Sequence, residues 1–214
     1  MQNNNSYTIS TKRKNLILRV QKGHFATSHS HINYFFDVTM QKTRLSEAKA
    51  IAEEILSYYQ STTIIDTILC LDGMQVVGTC LAEELTNNNF MNLNAHKTIY
   101  VVTPEHTSSS QIIFRDNVAP AIVGKNVLIL AASIVTGYTA KSAIDAIQYY
   151  GGRVAGIAGI FATVDKYMDY DVVSAFNPND IPDYNSYHSQ ECPMCKRGQR
   201  IEGLVNSFGI SRLY

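Results

Sequence analysis

The chain has 214 residues, 45% of them hydrophobic, and its 18 basic residues balance 18 acidic ones. That is enough apolar content for one domain with a core, while the even charge and the absence of a Lys/Arg run leave no footprint of a nucleic-acid or anionic-membrane binder. No apolar stretch reaches bilayer length, and the polar start Met1-Gln-Asn-Asn-Asn-Ser6 lacks the hydrophobic region of a secretory signal, so the expected location is the cytoplasm.

Residues 1–15 are polar and read as a frayed end, and Leu16 to Val20 suits a strand or one side of a short helix equally well. Gly23 to Asp37 then concentrates Phe25, Tyr34, Phe35 and Phe36 with His24, His29, His31 and small hydroxyl residues, which is unusual for a connector. A polar, hydrogen-bonded segment outweighs a metal reading of His29 and His31. Leu45, Ala48, Ile51, Ala52, Ile55, Leu56 and Tyr59 keep helical spacing, with Ser46 and Glu47 placed to favour the helix start. Ile64 to Leu71 predicts a buried strand, Asp72-Gly73 a turn and Val76 to Leu85 a second helix. After an Asn-rich turn at Asn87 to Asn89, Thr98 to Val102 predicts a third strand, Thr103 to Ser110 a polar loop long enough to move, and Ile112 to Phe114 another strand.

Val127-Leu-Ile-Leu130 is a short apolar run without alternation, as in a strand covered on both faces. From Ala140 the period changes: Ala140, Ala143, Ile144 and Ile147 recur at helical spacing, and Gly151-Gly152 ends the pattern as a C-terminal cap. Between strand and helix lie Ser133, Thr136, Gly137, Tyr138 and Thr139. Hydroxyls, a flexible backbone and helix-start amides that lack internal acceptors meet there, and this is the composition of an anion site. A polar turn with nothing bound fits the composition as well.

Val154 to Phe161 and Asp171 to Phe176 supply two more strands, and from Asn177 the composition turns to Pro, Asn, Asp, Ser and Tyr. Cys70 and Cys80 sit in apolar patterns and read as core thiols. Cys192-Pro-Met-Cys195 carries half of a zinc-knuckle spacing with only His188 near enough in sequence to be a third ligand, so a reduced thiol pair in a tight turn outweighs zinc. Alternating strands and helices with short connections predict an α/β fold: a mainly parallel central sheet with helices on both faces. Ligands in such sheets bind beyond the carboxyl ends of the strands, where the 131–139 and 71–78 loops both fall.

The Val127–Thr139 run resembles the phosphoribosyl-pyrophosphate signature of the type I phosphoribosyltransferases, four apolar residues, two acids, two apolar residues and a Thr-Thr-Gly-x-Thr turn, except that Ala131 and Ala132 stand where the acids belong. The resemblance implies that Ser133 to Thr139 hold a 5′-phosphate and that the groups facing the ribose in the transition state are missing. Gly23, Phe25, Tyr34, Phe35 and Phe36 resemble the N-terminal part of orotate phosphoribosyltransferases, in which the aromatics border the base. By the same resemblance Asp72 and Gly73 lie on the pyrophosphate loop, with Asp72 a possible magnesium contact, and Glu105 and His106 lie on a hood loop that in the family is rich in arginine and lysine. The Cys-Pro-x-Cys-x-x-Gly tail also occurs in some bacterial members. The implied arrangement is a single domain over 1–214, with an N-terminal hood segment over about 1–45 and an irregular C-terminal tail over about 177–214. The implied function is orotate phosphoribosyltransferase-like binding of phosphoribosyl pyrophosphate or a nucleoside monophosphate by a homodimer. Phosphoribosyl transfer to a pyrimidine or related base with Mg2+ is implied if the chain is active, and a catalytically degenerate binding or regulatory protein if it is not.

Overall fold

The computed structural model describes residues 6–10, 16–87, 91–95, 97–109 and 111–213 and forms two compact units, Met1–Met40 with Pro178–Tyr214, and Gln41–Asn177. Parts of the expected frayed end, of the 87–89 turn and of the 103–110 loop therefore lie outside the described residues. In chain order the elements are β1 (Ser6–Ser10), β2 (Ile17–Ala26), β3 (His31–Asp37), α1 (Thr39–Thr43), α2 (Leu45–Tyr59), β4 (Thr67–Cys70), α3 (Gln75–Thr86), β5 (Tyr100–Val102), β6 (Glu105–His106) and β7 (Ile112–Ile113). They continue with β8 (Asn126–Ile134), α4 (Tyr138–Tyr149), β9 (Arg153–Ala162), β10 (Lys166–Tyr167), β11 (Tyr170–Phe176), β12 (Ser186–Tyr187), α5 (Pro193–Lys196), β13 (Gly203–Asn206) and β14 (Gly209–Arg212). No helix among the described residues is long and apolar enough to cross a membrane.

The 41–177 unit is built on a sheet of order β10-β11-β9-β8-β4-β5, in which β5, β4, β8, β9 and β11 run parallel and β10 returns antiparallel along β11. Every residue of β4 is buried, as are Val127 to Ala132 of β8, so the apolar runs without alternation are covered from both sides. On one face Leu69, Ile129, Ala131 and Ile157 pack with Ala140, Ala143, Ile144 and Ile147 of α4. The other face carries α2 and α3, with the Tyr59 hydroxyl donating to the Ile157 carbonyl at 3.2 Å. Cys70 and Cys80 are free and buried as expected of core thiols, and burial pushes the Cys70 pKa up to about 12.

Because β4 and β8 are parallel neighbours, the residues that follow them emerge side by side at one edge of the sheet. Ile112 does not join that sheet. It pairs with His106, and Ile113 with Glu105, so part of the expected loop is a two-stranded hairpin.

In the other unit β12, β3, β2, β13 and β14 form a sheet, with β1 also paired to β2. The run after Leu16 is thus a strand rather than a helix. The C-terminal segment, irregular by composition, is irregular only as far as about residue 202, apart from β12 and α5. Val205 and Ile210 then pack on Phe25, Ile32 and Phe35, and this apolar pairing draws β13 alongside β2.

Candidate functional site

The bend between β8 and α4 is held from behind. Thr163 donates its amide to the Ile134 carbonyl at 3.0 Å and its hydroxyl to the Val135 carbonyl at 2.9 Å, which turns the carbonyls of the bend toward β9. Gly137, the N-cap of α4, has φ 77, a conformation that costs an L side chain energy. A Cβ added to it would lie 2.0 Å from the Tyr167 ring, so Tyr167 closes one flank of the bend. The rest stays open: Ser133, Thr136, Tyr138 and Thr139 are exposed. Among the described residues the amides of Thr136, Gly137, Thr139 and Ala140 donate to no acceptor. Unpaired amides at the positive end of a helix dipole, flanked by hydroxyls, are donors set out for an anion. Lys141, one turn further on, is spoken for by Asp145 at 2.6 Å.

At the end of β4, Asp72 (φ 54) and Gly73 (φ 80) form a left-handed turn anchored by the Leu71 amide on the Leu130 carbonyl at 2.8 Å. An Asp72 carboxylate oxygen sits 3.4 Å from the Ala132 amide, so this side chain links the two strand ends. The Lys42 ammonium donates to the Asp72 carbonyl at 2.9 Å and places a cation at the turn. Nothing in the local sequence signals Lys42, since it arrives from the five-residue helix α1, distant in sequence from the turn. Ala131 and Ala132 are 1% and 4% exposed, and of residues 71–74 and 131–139 only Asp72 is acidic.

On the hairpin, Arg115 donates from Nε and Nη2, one edge of its guanidinium, to the two carboxylate oxygens of Glu105 at 2.7 and 2.5 Å. The hydrogen bond from Arg115 holds the Glu105 carboxyl below its usual range. His106 is exposed beside it. No local signal ties the Arg115 cation to this loop, because it lies beyond residues 103–110 and pairs back across the hairpin.

The aromatic trio does not share one face. Phe35 packs with Phe25 and Ile32 in the small core, while Tyr34 has Lys22 5.6 Å above its ring and Phe36 lies 5.4 Å from Tyr184. Consecutive strand residues alternate, so at most Tyr34 and Phe36 act together. In the same unit Cys192 and Cys195 meet two histidines, but these are His24 and His31. His188 is exposed at the start of the Ser189–Glu191 turn and is not in the group, a correction to the ligand expected from proximity in sequence. His31, set aside as a ligand on sequence, is in it, because the β2–β3 pairing brings His24 within 3.1 Å of it.

No family model matches the chain. The orotate phosphoribosyltransferase of Chlorobaculum parvum is 26% identical over 188 residues, which cover 84% of this chain and 86% of that protein. The orotate phosphoribosyltransferase of Caldanaerobacter subterraneus is 31% identical over 75 residues, 35% of this chain and 38% of that protein. Among solved structures, the orotate phosphoribosyltransferase of Mycobacterium tuberculosis superposes with a TM-score of 0.53 at 16% identity, covering 77% of this chain and 93% of that one. The same enzyme in complex with 5-phospho-alpha-D-ribosyl 1-diphosphate gives 0.51 at 15% identity, over 68% of this chain and 82% of that one.

Proposed function

We propose that this chain, which has the type I phosphoribosyltransferase fold and has orotate phosphoribosyltransferases as relatives in sequence, binds phosphoribosyl pyrophosphate or a nucleoside 5′-monophosphate by its phosphate at the start of α4. One observation carries the reading: among the described residues the amides of Thr136, Gly137, Thr139 and Ala140 have no acceptor, in a bend that Thr163 and Gly137 hold in place. The solved relative complexed with 5-phospho-alpha-D-ribosyl 1-diphosphate supports the choice of ligand class.

Transfer chemistry has less to work with. A ribosyl centre that gains positive charge is stabilised by carboxylates, and each preorganised group removed costs about 3 kcal/mol of barrier. At the β8 end the side chains are Ala131 and Ala132, both buried. Magnesium, expected for an active enzyme, finds only Asp72 at these two strand ends, and that carboxylate faces the Ala132 amide. The residues present do not fit a protein-held magnesium ion. Binding without rapid turnover is therefore the main reading.

A second reading, slow phosphoribosyl transfer, rests on Asp72, which delivers a carboxylate from β4 to the place where an acid would leave β8. Tyr34, expected to border a base, is 2% exposed and so is a core residue of its own unit; a homodimer is part of the proposal, measurable by light scattering.

Calorimetry with uridine 5′-monophosphate and with phosphoribosyl pyrophosphate tests the binding, and Gly137→Val should abolish it. Unchanged affinity in that variant would refute the site. An orotate turnover assay separates the two readings: rates equal to buffer remove the transferase, whereas turnover lost in Asp72→Asn establishes it.

A further inference from the structure

We propose that His24, His31, Cys192 and Cys195 form a tetrahedral zinc site that ties the β2–β3 hairpin to the C-terminal segment. The four side chains each bring one ligand atom, and these atoms all lie within 4.8 Å of one another. A zinc ion with bonds of about 2.0–2.1 Å to nitrogen and about 2.3 Å to sulfur sets tetrahedral edges of roughly 3.3–3.4 Å between nitrogens and roughly 3.6 Å between nitrogen and sulfur. The structure has 3.1 Å from His24 Nε2 to His31 Nδ1, 3.6 Å from His24 Nε2 to Cys192 Sγ, 3.7 Å from His24 Nε2 to Cys195 Sγ, and 3.3 Å from His31 Nδ1 to Cys195 Sγ. These four of the six edges are within about 0.3 Å of the zinc geometry, and the other two, from Cys192 Sγ to His31 Nδ1 and to Cys195 Sγ, are at most 4.8 Å and must shorten as the ion draws the thiolates in.

Proton accounting supports the same centre. His24 Nδ1 lies 2.9 Å from the Gln199 carbonyl, which can only accept, so that nitrogen carries the imidazole proton. His24 Nε2 is then a lone pair, fully buried and aimed at the other three ligand atoms. A histidine whose second ring nitrogen donates to a backbone carbonyl is the arrangement found around bound metals, where it fixes the tautomer and the ring orientation.

The cysteine pair is preformed in the same way. Pro193 starts the short turn of α5, the Lys196 amide donates to the Cys192 carbonyl at 3.1 Å, and the Gly198 amide donates to the Cys195 carbonyl at 2.9 Å. Cys192 is buried and Cys195 exposed, which leaves an approach for the ion. With four protein ligands the site has no open position, so its role is structural rather than catalytic. The centre would add a cross-link beside the buried Phe25, Ile32 and Phe35, on which Val205 and Ile210 pack, and it joins residues 168 apart in sequence.

The test is metal analysis of the freshly purified full chain, with cobalt substitution as a second readout. The expected result is about one zinc per chain, released by a thiol-reactive mercurial, and a cobalt form with the intense visible bands of a tetrahedral S2N2 site. Cys195→Ser and His31→Ala, both at positions that are not fully buried, should lose the metal and melt at lower temperature, whereas His188→Ala and His29→Ala should retain it. Circular dichroism on each variant separates loss of the metal from loss of the fold. A wild-type chain that is metal-free and takes up no added zinc would overturn the proposal, as would a Cys192–Cys195 disulfide in mass spectra of protein kept under reducing conditions.

Discussion

Replacing Gly137 by alanine isolates the physical requirement of the bend between β8 and α4, because a single methyl group meets two separate costs. The backbone there has φ 77, and a left-handed conformation costs an L residue about 1–2 kcal/mol relative to glycine. The added Cβ would lie 2.0, 2.6 and 2.7 Å from three ring atoms of Tyr167, so the ring must move, and overpacking of this kind costs about 1–3 kcal/mol. Together the loss is about 2–5 kcal/mol. For a chain of this size each kcal/mol lowers the melting temperature by about 2–4 °C, so Gly137→Ala should melt roughly 4–20 °C below the wild type.

The two costs separate in a double-mutant cycle. In a Tyr167→Ala background the ring is gone and only the backbone term remains, so the same glycine substitution should cost about 1–2 kcal/mol. Thermal melts of the four proteins supply the energies, and calorimetric titration with uridine 5′-monophosphate supplies the functional readout. Gly137→Ala should weaken binding because the displaced bend no longer directs its amides at one point. An equal penalty in both backgrounds would refute the Tyr167 contact. Wild-type stability together with wild-type affinity in Gly137→Ala would refute the account of the bend itself.

Ala131→Asp should not restore transferase activity. It would set an unpartnered carboxylate in the cluster with Leu69, Ile129 and Ile144 and destabilise the fold by on the order of 3 kcal/mol at neutral pH. Burial raises the folded-state pKa of such a carboxyl, so the penalty should vanish in melts below the unfolded pKa and grow as pH rises toward the folded value. Glu105→Gln should leave the melting temperature unchanged, since the pair with Arg115 is solvent-exposed, but should free the guanidinium and strengthen binding of a diphosphate ligand over a monophosphate in parallel calorimetric titrations. In the wild type the hydrogen bond from Arg115 holds the Glu105 carboxyl below its usual range, so the pair is ionised at neutral pH. Phe35→Ala should cost about 3–5 kcal/mol in denaturant melts as a core deletion, whereas Phe36→Ala should cost clearly less.

What the sequence made legible follows from how local each signal is. β8 and α4 are written in consecutive residues, an apolar run and then a 3.6-residue period, and the bend between them needs only the glycine and hydroxyls in place. The parallel sheet follows from alternation of such units. The metal group was illegible because it depends on two non-local facts. A bulge between Lys22 and Phe25 sets the register that brings His24 to His31, and the C-terminal segment must return to this hairpin before Cys192 and Cys195 meet them. His188 is adjacent only in sequence. Lys42 belongs to the same class, a cation delivered to Asp72 by the chain's path and marked by no motif.

The two alanines show why the missing acids are a property of the fold as a whole and not two isolated replacements. In β8 burial is unbroken from Val127 to Ala132, and exposure begins at Ser133. The Ala131 side chain faces the α4 cluster, and a Cβ added at the neighbouring Gly159 would lie 2.9 Å from the Ala131 carbonyl, so β8 and β9 pack closely at this level. A carboxylate that serves a ribosyl centre needs water, partners or ligand around it, and here the first residue of β8 with such access is Ser133. The strand end has been drawn into the core while the bend beyond it kept its exposed hydroxyls and unpaired amides. The proposed phosphate binding calls only on the bend, whereas transfer would call on the strand end as well, so the first does not require the second.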